Sequence, residues 1–436
     1  MLLILVPKIT SRIRYAMQLF FGELIKTEFE ITEDTAGFQS SSGAKLNYGK
    51  QRIADEIFIR AENLLFEKEI RPQKINVDQV KGIKTFFAHQ ESSDLTFDLF
   101  AAAFYFVSRY EEYLPFKPDN YGRFPDEENL LVKEKIHEIP LVNHYAIWLK
   151  ELLNKKFPTL SFQTNPFQFQ LTYDIDFAFA YKGRGVLRNM AGYAKSLSKF
   201  DSNETLRRTN VIFGRAGDPF DTFDFQFALH EKFKLKPIYF FLLGDFGKFD
   251  RNIFWKNRHL QSLIKKISAG NEIGIHCSFN SNLHPEKVKI EKARLEKISG
   301  KKIFRNRQHY LRLKFPSTYQ ILLANATTED YTMGFASQIG FRAGIAAPFY
   351  WYDLAGEEIT QLRIYPFAAM DATLYYYLEF SAEEAFEKSK QLIAATKKVN
   401  GYFQFLAHND LLSENISESW FHWRKMFEEL LAIANS

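Results

Sequence analysis

The chain has 436 residues, 46% of them hydrophobic, with 57 Lys plus Arg against 52 Asp plus Glu. This composition excludes a disordered or collagen-like chain, and a length beyond about 250–300 residues points to more than one domain. The net charge of +5 is spread along helices beside glutamates, so no nucleic-acid partner is expected. The single cysteine, Cys277, excludes an intrachain disulfide or a cysteine-built zinc site.

The opening "MLLILVPKIT" is apolar for only a few residues, with no basic flank and no cleavage site, and reads as a first buried strand. No apolar run reaches the roughly 18 residues that span a bilayer. Together with the lone cysteine this gives the expectation of a cytoplasmic protein with no membrane span. "RIRYAMQLFFGELI" has helical spacing and "TEFEIT" alternates as a strand. "RIADEIFIRAENLLFE" reads as a helix through Ile53, Ile57, Ala61 and Leu64, and "SSDLTFDLFAAAFYFVSRYEEYLP" as a nearly buried helix ended by charge and Pro115. A polar loop then leads to a helix around "LVNHYAIWLKELLNKKF". The proline-bracketed stretch 158–166 marks a boundary, giving an α/β accessory domain over 1–160 and a second domain over 165–436.

Beyond that boundary short apolar runs alternate with helical segments. The runs are "FQFQLTYDID", "KPIYFFLLGD", "EIGIHC", "KIFRNR", "YTMGF", "FRAGI", "LRIYPFAAM" and "GYFQFLAHND". Such runs between helices read as parallel strands buried on both sides. The capping box at Ser381 and Glu384 opens a clear connecting helix that ends at Gly401. The expected fold is therefore a deformed β/α barrel of about seven strands, with an open doubly wound sheet as the alternative.

Parallel α/β folds collect functional groups at the carboxyl ends of their strands. The first run delivers Asp174 and Asp176, which strand periodicity places on one face. "EIGIHCSFN" delivers His276 and Asn280, "KIFRNRQHY" delivers Arg307 and His309, and "GYFQFLAHND" ends in His408 and Asp410, with Asp330 ahead of "YTMGF". Asp and His donors without cysteine suit zinc or a neighbouring divalent ion, which would relieve the repulsion between Asp174 and Asp176. One aspartate then serves the metal and the other takes a proton from water, while a histidine across the barrel protonates the leaving group.

These motifs resemble the polysaccharide deacetylases, metal-dependent hydrolases on a deformed β/α barrel. "TYDID" stands where that family has Thr-Phe-Asp-Asp, "HCSFN" where it has His-Ser/Thr-x-x-His, and "FLAHND" resembles its C-terminal histidine motif, over roughly residues 165–415. "RYEEYLPF", "YGRFP", "RQHYLRLKFP", "DYTMGF" and "FRAGIAAPFYWYD" are similar to a bacterial branch with an N-terminal α/β domain. The resemblance implies Asp174 as general base, Asp176 and His276 as metal ligands, His408 as general acid and Arg307 as charge partner of the base. Asn280 replaces the second metal histidine as candidate donor, with Ser281 or His284 as substitutes, and Ile175 separates two aspartates that are adjacent in the family. His309, Asp330 and Tyr350, the last within "FYWY", are the candidate substrate contacts.

The implied function is removal of an N-acetyl group from an amino sugar of a polysaccharide or glycan precursor, with one divalent ion, zinc first. Asn280 favours an alternative: an inactive glycan-binding or scaffold protein of polysaccharide biosynthesis. Hydrolysis of another C–N or glycosidic bond is a third reading, since fold does not fix substrate. Elsewhere the expectations are structural. Cys277 is a buried filler, Arg109, Glu111 and Glu112 form ion pairs, and Trp420 and Trp423 anchor the last helix.

Overall fold

The computed structural model describes residues 1–163, 165–414 and 418–435, the backbone alone at 418–420. Trp420 therefore lies outside the described side chains, whereas Trp423 is buried. The N-terminal part holds a parallel four-stranded sheet of β1 (Leu2–Leu5), β2 (Phe29–Thr32), β3 (Ala44–Gly49) and β4 (Ile57–Arg60), in the order β2-β1-β3-β4. β4 replaces the helix expected over 52–67. Its Ile57 and Ile59 are β-branched and buried, and pairing with β3 outweighs the fourfold spacing of Ile53, Ile57 and Ala61. An antiparallel hairpin follows, β5 (Val77–Val80) with β6 (Ile83–Phe86). The helix Leu99–Val107 is buried at every position, and Asp98 caps it by accepting from the backbone N–H of Phe100 and Ala101.

The second sheet contains β7 (Gln168–Ile175), β8 (Ile238–Leu242), β9 (Glu272–Cys277), β10 (Arg305–Gln308), β11 (Glu329–Asp330), β12 (Phe349–Asp353), β13 (Glu358–Ile364), β14 (Ala369–Met370) and β15 (Tyr402–His408). Its order is β12-β13-β11-β10-β9-β8-β7-β15-β14, and all neighbours are parallel except β12 with β13. This is an open sheet of nine strands, and among the described residues no ladder joins its edges β12 and β14, so the deformed barrel expected is not closed. The gap is crossed by one chain segment. Tyr365 N–H donates to Asp330, Phe367 N–H to Met333 and Ala368 N–H to Gln404, while Pro366 between them has no donor to continue a ladder. "YTMGF" and "FRAGI", expected as strands, are buried irregular chain; their apolar residues fill the interior without extended pairing.

Residue alternation on β7 sets up the site. Leu171, Tyr173 and Ile175 join the large core beneath the helices, and Thr172 and Asp174 point to the other, inner face. The helix Ala382–Lys398 carries the capping box, with Ser381 Oγ accepting from Glu384 N–H. The N-terminal part meets the second sheet through aromatic packing of Tyr15 and Phe104 on Tyr352, and a buried polar network lies beside it. Arg109 donates to Glu111 and Glu112 at 2.8 Å each and to the Arg342 carbonyl oxygen at 2.6 Å, and Arg342 grips both Glu112 oxygens at 2.8 Å. Asp126 accepts from the N–H groups of Ala336 and Ser337.

Candidate active site and metal centre

Strand register brings the polar strand ends together, with His408 opposite Asp174 and Arg307 opposite His276. Asp174 is buried and its Oδ1 accepts from Arg307 Nη1 at 2.8 Å. The same Nη1 donates to Thr172 Oγ1 at 2.9 Å, and Nε donates to the Tyr331 carbonyl at 2.9 Å. The guanidinium also lies 4.6 Å from the Phe240 ring centre, so Nε, Nη1 and the ring face fix its orientation while Nη2 is buried without a hydrogen-bond partner.

Asp176 follows the end of β7, with Oδ1 3.2 Å from His276 Nε2 and Oδ2 3.4 Å from His309 Nε2. One donor atom from each of the three residues falls within 4.8 Å of the others. Each imidazole is oriented from behind. His276 Nδ1 is 3.0 Å from the Arg307 carbonyl, which can only accept, so Nδ1 carries a proton and Nε2 is the ring atom turned to Asp176. His309 Nδ1 is 2.8 Å from Asp250 Oδ1, a carboxylate–histidine arrangement typical of metal ligands. Asp176 Oδ1 is buried with no hydrogen-bond partner. An orphaned carboxylate oxygen beside two imidazole Nε2 atoms is a donor set that fits a divalent ion such as zinc.

Electrostatics sharpens the picture. Burial would raise the Asp176 carboxyl, but His309 and His276 hold it well below the usual range. Burial would likewise pull His309 down, yet Asp176 and Asp250 on its two sides raise it to about 9. His408 behaves the same way: against burial, Asp371 and then Asp176 and Asp174 raise it to about 10. Asp371 accepts from His408 at both Nδ1 and the backbone N–H, 2.6 Å each.

These groups line a cavity of about 510 Å³ that contains Asp174, Asp176, His276, His309 and His408. Arg123 and Tyr310 also line it. Arg123, from the "YGRFP" stretch, donates to the Tyr310 carbonyl at 3.1 Å and pairs with Asp119. Tyr310 and Leu311 both have positive φ, 60° and 53°, a strained turn that holds His309 inward.

The remaining expected residues lie elsewhere. Asn280 is not in the donor cluster; its amide sits beside Gly247, and His309, expected as a substrate contact, occupies the third donor place. Of the substitutes, Ser281 donates to the Ser278 carbonyl and His284 is paired with Glu286 at the surface. Asp330 is fully buried away from the cavity, accepting from Asn306, Tyr319 and Thr332, and so braces the sheet. Tyr350 is on edge strand β12, stacked by Arg363 and outside the cavity. Cys277 is buried and free, with burial pushing its thiol up. Asp250 and Asp371 were not anticipated; each follows β8 or β14 in the chain, and Asp371 is a strand-end aspartate of the kind the same rule would have flagged.

A family of unknown function, DUF7033, matches residues 2–158. No curated protein matches the chain. Among solved structures, a Mycobacterium smegmatis protein described as a polysaccharide deacetylase is similar at 13% identity, with a TM-score of 0.40 over 62% of this chain and 86% of its own. A polysaccharide deacetylase from Bacillus cereus is similar at 12% identity, with a TM-score of 0.27 over 60% of this chain and 87% of its own. Both superpositions are loose, and the functional reading rests on the side chains themselves.

Proposed function

We propose that the protein is a divalent-metal-dependent hydrolase that removes an N-acetyl group from an amino sugar. The observation that carries this reading is the convergence, in one cavity, of an Asp176–His276–His309 donor set with Asp174 held by Arg307 and His408 held by Asp371. On this reading the sheet is a deformed barrel whose seam is the segment Tyr365–Met370.

Asp176, His276 and His309 would hold the ion. When bound, it supplies Lewis-acid polarisation of the amide carbonyl and a water of lowered pKa. Asp174 takes the proton from the attacking water through its oxygen not occupied by Arg307. Arg307 balances the charge of that carboxylate and fixes its direction through the 2.8 Å hydrogen bond. His408, charged at neutral pH because of Asp371, donates a proton from Nε2 to the departing amine. Tyr310, Leu311 and Met370 wall the cavity and limit water around the reacting groups.

The test is acetate release from N-acetylglucosamine oligomers by the full chain loaded with zinc, cobalt or nickel, with Asp174→Asn as the control. Metal-dependent release that the variant loses supports the proposal. No release from any acetylated amino sugar by protein shown to carry metal overturns it.

A further inference from the structure

Of the three helices between β7 and β8, the first two, Val186–Ser198 and Ser202–Ile212, are not used by the proposed chemistry. The first turns its apolar residues outward. At about 100° per residue, Val186, Leu187, Met190, Ala191, Ala194 and Leu197 share one arc of about 140°, and all six are exposed. The exposure is large: 76% for Val186, 83% for Leu187, 61% for Met190 and 64% for Leu197. Residues outside this arc make the internal contacts, with Tyr193 OH 2.9 Å from Thr209 Oγ1 and Asn189 accepting from Arg208. Phe200, Leu206 and Phe213 on the second helix and its flanks extend the exposed apolar surface. A soluble surface helix has the reverse polarity.

Cations border this surface. Arg184, Arg188, Lys195, Lys248 and Arg251 line a trough of about 1020 Å³ beside it, with Asp410 as the single carboxylate against these five cations, and none of the five enters an ion pair among the described residues. Arg188 is held at the rim, donating to the carbonyls of Arg251 and Asn252 at 2.5 and 3.0 Å. The trough opens into the candidate cavity, since Phe177, Lys248, Arg251 and Tyr376 line both.

We propose that the helix Val186–Ser198 docks on an anionic lipid surface, its apolar arc in the interfacial layer and its cationic border on headgroup phosphates. Of the six apolar side chains only Ala191 lines the trough, and the other five are exposed outside it. A second copy of the chain would set one cationic border against another, whereas anionic headgroups are complementary to it. At 13 residues the helix is about 20 Å long, enough to lie in the interface but not to cross it. Docked in this way, the trough and the cavity behind it face the membrane.

The experiment is cosedimentation of the full chain with sucrose-loaded vesicles of phosphatidylcholine, with or without one-third phosphatidylglycerol. Binding to the anionic vesicles is expected to be tighter by about tenfold or more and to weaken in high salt. Arg188→Gln with Lys195→Gln lowers it roughly 30-fold, at about 1 kcal/mol per cation. Leu187→Glu with Met190→Glu abolishes it while the melting temperature stays unchanged, because both side chains are exposed. If that pair fails to fold, Leu187→Trp serves instead, its emission shifting blue on anionic vesicles. No binding to anionic vesicles overturns the proposal. So does equal binding to both vesicle types, or a vesicle-free dimer that Leu187→Glu dissolves in a chain that ignores vesicles. Vesicle binding is read without turnover, so its failure leaves the proposed chemistry untouched.

Discussion

Replacing Arg307 by methionine strips Asp174 of its counter-ion at a position where neither residue reaches bulk water. Three hydrogen bonds go with the guanidinium: to Asp174 at 2.8 Å and to Thr172 and the Tyr331 carbonyl at 2.9 Å each. A hydrogen bond to a charged group is worth about 1.5–3 kcal/mol, and stranding its buried partner brings the cost to about 3–5 kcal/mol. Methionine keeps part of the packing on Phe240, so little cavity cost is added. Asp174→Asn in the same background removes the stranded charge and returns about 2 kcal/mol. The assay is a double-mutant cycle on apparent urea midpoints, measured in chelator so that metal binding does not contribute. If the two substitutions add to within about 0.5 kcal/mol, Arg307 and Asp174 are not coupled and the reasoning is wrong.

Asp371→Asn removes the group that keeps His408 charged, so the alkaline limb of the kcat profile, expected near pH 10, moves to lower pH. The drop in kcat is about 10²–10⁴-fold with KM little changed; an unmoved limb refutes the pairing. Glu291 accepts from both Ser278 N–H and Oγ just beyond β9, and burial raises it from 4.5 to about 7. A raised folded pKa means that its contribution is full below about pH 4.5 and fades as pH climbs through 7. That amounts to at most about 3 kcal/mol, and Glu291→Gln should flatten stability between about pH 5 and 8. Glu112→Gln leaves Arg342 without its carboxylate and Arg109 with Glu111 alone, and should cost about 3–5 kcal/mol, read as a lowered melting temperature. An unchanged melt would show that this buried network is not what joins the N-terminal part to residues 336–346.

Part of this arrangement can be read from residue order alone. A period of two sends Thr172 and Asp174 inward and Tyr173 outward, and strand-end placement selects His276 and His408. The third donor is harder. Asn280 sits at helical spacing from His276, but the chain there forms a short 3₁₀ turn, and His309 is delivered by a turn with two positive φ values that no local propensity announces. Asp250 and Asp371 act through histidines distant in sequence, which a linear reading does not connect. β4 was disguised because Ile53, Ile57, Ala61 and Leu64 mimic a helix face, and tertiary pairing with β3 decided the matter. "YTMGF" and "FRAGI" show a different limit: an apolar run reports burial, not extended backbone. The open seam is equally invisible, since it depends on where Pro366 steers a single segment.

The most direct test of the metal centre is elemental analysis of protein purified without chelator, alongside Asp176→Asn, His309→Ala and Asn280→Ala. The account predicts near one equivalent of zinc or a similar ion in the native chain and in Asn280→Ala, and its loss from the other two variants. A native chain that takes up no metal from excess Zn²⁺, Co²⁺ or Ni²⁺ would contradict it. Metal retained in His309→Ala and lost in Asn280→Ala would contradict it equally.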